Sequence, residues 1–333
     1  MALATLAQCA NCGVDATMRC AGCIDAPEYQ PGDSVSSVYC SRDCQKGHWP
    51  NHKAHCCALG QRKKLLRTAN ILKAALLTYR EVVYDVDLTK IEFQDGVLCL
   101  YQNQRPITAR SKCGLFPDHL TTNIEHKEAA LANNQCTTAM ALLGRLTRKL
   151  LKGEASPKII IWESQDLHLV EIASTIEVLD LHIGKPLVPT KLVPGPDSSD
   201  MPHTVLKVGR LFANEAWIID TAGCQYGFRD VLIPFKKYIA DKSCRTSSEP
   251  TTYDATETKD LDYFSTLPFV NRTRAQREDK KLERQARLHF AVFVDTRVSK
   301  DMLNGSAAEF TEKFDSFVCE LKLHMLNLAN RTI

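Results

Sequence analysis

Seven of the fourteen cysteines in this 333-residue chain fall within its first 56 residues, and they come in pairs. The order is Cys9-x2-Cys12, Cys20-x2-Cys23, Cys40-x3-Cys44 and His52-x3-Cys56. Four pairs supply eight ligands, enough for two closed tetrahedral metal sites. Disulfides are the competing use of clustered cysteines, and they persist only in oxidising compartments. The opening residues Met1 to Ala7 are too short and lack the basic start of a secretory leader. No apolar run approaches the roughly 18 to 20 residues that span a bilayer. The expectation is therefore a reducing compartment, cytoplasm or nucleus, no membrane association, and a metal module. The other seven cysteines, Cys57, Cys99, Cys113, Cys136, Cys224, Cys244 and Cys319, are scattered singly, which predicts a following domain of different character.

The chemistry explains the spacings. Two intervening residues fold both thiolates of a knuckle onto one ion, while three place two ligands on one face of a helical turn. Soft thiolates with one imidazole select zinc over hard cations. A segment this small and polar has almost no core, so metal binding must supply most of its folding free energy. Spacing alone leaves open whether the pairs are used in sequence or interleaved.

The eight ligands in register, with Cys44-Gln45-x3-Trp49-Pro50-x-His52-Lys53-x2-Cys56, resemble the MYND zinc finger over residues 9 to 56. The resemblance implies two interleaved zinc ions: Cys9, Cys12, Cys40 and Cys44 on one, Cys20, Cys23, His52 and Cys56 on the other. It also implies a shallow groove for a short proline-containing peptide of a partner protein, bordered by Gln45 and Trp49. An indole face packs well on a proline ring, and a nearby amide fixes a peptide backbone. The plainer role for Trp49 is to cover the zinc core. His48, His55 and Cys57 keep neither the family register nor the pair spacing and are read as surface or packing residues. The long gap from Cys23 to Cys40, with Pro27, Pro31 and Gly32, departs from the family and reads as a loop insertion.

Beyond the finger (1–60), residues 61–82 carry Leu65, Ala69, Leu72, Leu76 and Tyr79 at helical spacing, a connecting amphipathic helix. An α+β domain is expected over 83–240. Its parts are a hairpin turning at Asp95-Gly96, a helix over 124–152, and strands at 158–162, 168–172, 176–181, 203–209 and 215–220. Residues 241–265, rich in Ser, Thr and acids, read as a flexible linker or surface loop. A C-terminal helical segment, 266–333, follows and is expected to pack on the body. It opens with a charged helix over 272–288 and closes with a stripe of Phe310, Phe314, Phe317, Leu321, Met325 and Leu328. A net charge of +3 argues against a dedicated nucleic-acid binder, so the charged helix is read as a solvated face.

Two enzyme families bear on the body. MYND fingers occur joined to SET methyltransferase domains, but the Asn-His-Ser-Cys-like stretch and Tyr-bearing segment of that domain are absent, and only eight residues precede Cys9. The second reading joins Cys136 at a helix start, His203 opening a strand, and Asp220 ending the next, in Asp220-Thr221-Ala222-Gly223-Cys224-Gln225-Tyr226-Gly227. That order is similar to papain-like and transglutaminase-like enzymes, and the body also resembles that of a group of fungal MYND proteins. The resemblance implies a cysteine-dependent hydrolase or acyl transferase targeted by the finger. A helix N-terminus lowers a thiol's pKa, His203 takes its proton, and Asp220 orients the ring. Gln135 or the Cys136 amide would serve the oxyanion. His168 is a rival base. The plain alternative is that Cys136 is one more inert core thiol. The leading expectation is a zinc-dependent protein-interaction protein without enzymatic activity, and the thiol enzyme is its alternative.

Overall fold

The computed structural model describes residues 7–104, 106, 113–152, 172–195, 201–209, 214–257 and 273–332. The expected strands at 158–162 and 168–172, and with them His168, lie outside the described residues, apart from residue 172. Two short antiparallel pairs open the chain: β1 (Ala7–Gln8) with β2 (Asp15–Ala16), and β3 (Met18–Arg19) with β4 (Val38–Tyr39). Ser41, whose hydroxyl accepts the Cys44 N–H, then caps α1 (Arg42–Val82). This 41-residue helix carries the last finger ligands at its start and the predicted stripe further on. Leu65, Ala69, Leu72, Leu76 and Tyr79 are all buried in the main core, while Leu59 still belongs to the finger's own cluster.

Next comes the hairpin of β5 (Leu88–Gln94) and β6 (Val97–Gln102), turning at Asp95 (φ 51°) and Gly96 (φ 81°) as a two-residue turn with both centres left-handed requires. β8 (Thr190–Val193) adds to β6 in parallel. The helix expected over 124–152 is two helices, α2 (Ile124–Ala132) and α3 (Cys136–Leu151). Between them Asn134 takes φ 57°, a conformation a continuing helix excludes, and this break places Cys136 at a helix start.

The larger sheet runs β11 (Leu232–Pro234), β10 (Ala216–Ile219), β9 (His203–Gly209), β7 (Thr175–His182), all antiparallel. Alternation divides its faces. Leu206 and Val208 of β9 join the core shared with α1 and α3, while Val205 packs under α4 (Phe235–Asp241) with Tyr238. The far edge of β7 pairs with β12 (Arg245–Thr246) and β13 (Thr251–Thr252). These strands fall in the stretch expected as a flexible linker or surface loop, 241–265. Within its described part, to residue 257, the backbone satisfies the edge of β7, Tyr253 and Ala255 are buried, and the Tyr253 hydroxyl donates to the Met140 carbonyl. Few apolar residues suffice when main-chain pairing does the holding.

α5 (Arg274–Arg297) starts in a capping box of Thr273 and Gln276. It is less solvated than its charge predicts, because Ala286, Phe290, Phe293 and Val294 are buried. In α6 (Ala307–Thr332), Phe317, Leu321 and Met325 are buried against the same core, with Phe310, Phe314 and Leu328 packed at its margin. Among the described residues no helix is long and apolar enough to cross a membrane.

Candidate functional site

The finger gathers its ligands into two groups, Cys9, Cys12, Cys40 and Cys44, and Cys20, Cys23, His52 and Cys56, each with its ligand atoms within 4.8 Å of one another. The interleaved arrangement follows from the strand pairs, which lay the second knuckle between the halves of the first site. Sulfur separations are 3.6 Å for Cys12–Cys40 and 3.4 Å for Cys40–Cys44, with 3.6 Å for Cys20–Cys56. A tetrahedron of about 2.3 Å zinc–sulfur bonds sets its sulfurs ~3.8 Å apart, so both groups fit the ion. His52 turns Nε2 toward Cys23 at 3.3 Å, and its Nδ1 lies 3.1 Å from the Ser37 hydroxyl, the outer partner that fixes a ligating imidazole. Gly22 is sterically required, since a Cβ there would stand 2.5 Å from the Cys56 sulfur. Donating its proton to Cys44 pushes the Cys40 thiol up to about 12, and sharing with Cys23 likewise raises Cys56. Such clusters ionise together only around a divalent cation. Four protein ligands leave no open position, so zinc here is structural.

His48, His55 and Cys57 lie outside both groups: His48 Nδ1 meets the Tyr39 hydroxyl at 3.1 Å and His55 Nε2 the Val35 carbonyl at 3.4 Å. Gln45 and Trp49 stand one turn apart on α1, Gln45 half-buried and Trp49 40% exposed, its ring edge-on to His52. The insertion between Cys23 and Cys40 has a role sequence reading missed, because it docks the finger on the body. Arg62 of α1 donates to both oxygens of Asp33 at 2.7 and 2.8 Å, and to Glu215 at 2.8 Å. Tyr29 accepts the Ala216 N–H at 3.3 Å and tilts against Trp217.

In the body, Cys136, His203 and Asp220 come together although 84 residues separate the first from the last. His203 Nε2 lies 2.8 Å from Asp220 Oδ1, and the Tyr238 hydroxyl donates to Asp220 Oδ2 at 2.7 Å. The whole pair is inaccessible, with His203 0% and Asp220 3% exposed. Burial opposes charge on each group, but their mutual attraction outweighs it. The Asp220 carboxyl falls below the usual carboxylate range, and His203 rises to about 10. Burial likewise opposes ionising Cys136, yet the neighbouring His203 brings the thiol below its ordinary value. Its sulfur also stands 3.9 Å from the Pro202 carbonyl.

Three neighbours escaped sequence reading, though they lie in or near the stretch it singled out. Gln225 and Tyr226 return to His203 on a single 3-10 turn (Gly223–Tyr226), the Tyr226 ring edge-on to the imidazole at 5.0 Å. Tyr238 had no local signal at all. Gly223 makes the turn possible, because a Cβ there would meet Asp220 Oδ2 at 2.4 Å. Gln135 turns back on itself, its Nε2 donating to the Asn133 carbonyl at 3.4 Å.

Set beside known proteins, residues 9–56 match the family model of the MYND finger. No curated protein matches the chain, and no solved structure does.

Proposed function

From the premise that residues 9–56 are a MYND finger with two zinc sites, a module of protein interaction, we propose that the protein docks a short proline-containing peptide of a partner across Gln45 and Trp49. The observation that carries this is the exposed Trp49 indole, set on a helical turn whose neighbours Cys44, His52 and Cys56 are metal ligands. A rigid aromatic face loses little entropy on binding a proline ring. Cytoplasm or nucleus is the place of work on this reading. Titrating proline-containing peptides against the zinc-loaded chain tests it. Trp49→Ala should abolish binding while zinc content stays at two ions per chain, and unchanged binding would end the proposal.

A second reading rests on the His203–Asp220 pair with Cys136 beside it: a cysteine-dependent hydrolase or acyl transferase on a papain-like or transglutaminase-like body. The Cys136 sulfur adds to an acyl carbonyl while its proton rests on His203. Collapse of the tetrahedral oxyanion returns that proton to the leaving group and forms a thioester. Water or an amine, giving its proton to His203, then displaces the thiol. Asp220 holds the imidazole by Nε2, leaving Nδ1 for the thiol. Selective iodoacetamide labelling of Cys136 at neutral pH, lost in His203→Ala, is the expected result. Equal labelling of all body cysteines would remove this reading.

A further inference from the structure

We infer that Gln225 is the positioning residue of the thiol site, its side-chain amide holding the loop before Cys136 and the base His203 in one fixed relation. The inference rests on the thiol-enzyme reading and goes beyond it to a residue outside the Cys-His-Asp series. Gln225 Oε1 accepts the backbone N–H of Asn134, two residues before the nucleophile, at 3.1 Å. Gln225 Nε2 lies 3.5 Å from His203 Nδ1. The side chain is 2% exposed, so it cannot exchange these partners for water.

The orientation of the amide is chemically determined. Asn134 offers a donor, so the oxygen must face it and the NH2 must face His203. With Nε2 committed to Asp220, the Gln225 amide meets the ring at its other nitrogen, Nδ1. On the thiol-enzyme reading, Nδ1 is the nitrogen that exchanges the thiol proton. At 3.5 Å the bond is weak enough to yield when the thiol proton arrives. Asn134 sits at φ 57°, a conformation that needs an outside hold, and its N–H is the atom Gln225 grips. Other groups around the site are accounted for. Thr137 meets Thr204 at 3.3 Å, Thr204 donates to Asp180, Tyr226 covers the imidazole edge, Tyr238 binds Asp220, and Lys242 lies over the Tyr238 and Phe228 rings.

The test is the pH profile of iodoacetamide alkylation at Cys136 in the full zinc-loaded chain, read by peptide mass mapping. Gln225→Met keeps the volume and removes both bonds. Gln225→Glu keeps an oxygen for Asn134, and so the loop, but sets an anion where the donor stood. Both should shift the profile to higher pH, with about tenfold slower alkylation at pH 6 and a wild-type rate at pH 9.5. A structural lesion would instead speed alkylation of the buried Cys224 at every pH, and if Gln225→Met does so, Gln225→Glu decides. Superposition of the variant profiles on wild type overturns the role of Gln225 alone. A wild-type Cys136 that reacts like the other body cysteines and ignores His203→Ala overturns the thiol-enzyme reading, and this inference with it.

Discussion

In the finger, the buried members of the apolar cluster among the described residues are Cys9, Ala16, Cys20, Cys23, Tyr39 and Leu59, and three of these six are themselves metal ligands. In the body, α1, α3, α5, α6 and one face of the larger sheet bury Trp217, Tyr79, Phe290, Phe293 and rows of leucine in one continuous cluster. The first region has too little surface to bury and depends on coordination; the second depends on solvent exclusion. The difference teaches how each can fail. Coordination fails all at once when a ligand or the ion is lost, while a packed core fails by increments.

Metal removal should break the comparison most sharply. Apparent binding energies of structural zinc sites run to about 10–16 kcal/mol, more than a small finger's whole stability. A strong chelator should abolish hydrogen-exchange protection over residues 9–56, whereas α1 beyond Leu65 keeps it because its face lies in the body's core. Gly22→Ala sharpens the point. Its Cβ collides with the Cys56 sulfur, so elemental analysis should return one zinc rather than two. Protection in the finger that survives the chelator would contradict the coordination account.

The next effect lies at the junction. Arg62 is buried between Asp33 of the finger and Glu215 of the body, and removing one partner of a buried charge network costs about 3–5 kcal/mol. Arg62→Ala should lower the thermal midpoint while leaving zinc stoichiometry intact. The same network carries a pH signature. Burial pushes Asp33 up, but the Arg62 guanidinium more than offsets it, so its carboxyl sits below the ordinary value of 3.8. A depressed carboxylate contributes stability that is present above its unfolded value and lost as pH falls through its folded one. Acid titration of the midpoint below about pH 4 should be steeper in wild type than in Arg62→Ala.

Within the body alone, Tyr238→Phe removes the hydroxyl that donates to Asp220 Oδ2 and nothing else. A hydrogen bond to a charged group is worth about 1.5–3 kcal/mol, and chemical denaturation should register a loss in that range with an unchanged slope. The finger is indifferent to this change, so zinc content should stay constant.

The two regions were also unequally legible. Metal ligation leaves its record in local spacing, and eight residues at fixed intervals needed no knowledge of distant contacts. Of the body's site, Cys136, His203 and Asp220 were visible as residue types at the ends of elements, and β9 was placed to its residue limits. Their meeting depends on sheet pairing that no local pattern encodes. Tyr238 reaches Asp220 from a helix under the opposite face of the sheet, and Gln225 reaches Asn134 across 91 residues. The break at Asn133 to Gln135 was hidden for a related reason, since helical periodicity continues across it and only the left-handed Asn134 ends α2. The strands at 245–252 were missed because main-chain pairing with β7, rather than side-chain pattern, holds them.

The smallest expected effect tests whether a locally encoded feature can fail in isolation. Gly96 turns the β5–β6 hairpin at φ 81°, and a Cβ there would meet nothing within 4 Å. Gly96→Ala therefore adds no clash, and its whole cost is the left-handed backbone, about 1 kcal/mol. That cost belongs to a hairpin packed in a cluster around Leu98, Leu100 and Phe116, separate from the finger's cluster and from the main core. Denaturant titration should show the small loss, while zinc stoichiometry and Cys136 alkylation match wild type. A loss well beyond ~2 kcal/mol would mean that the hairpin's turn is tied into the main core after all, and that the body's clusters do not fail by increments.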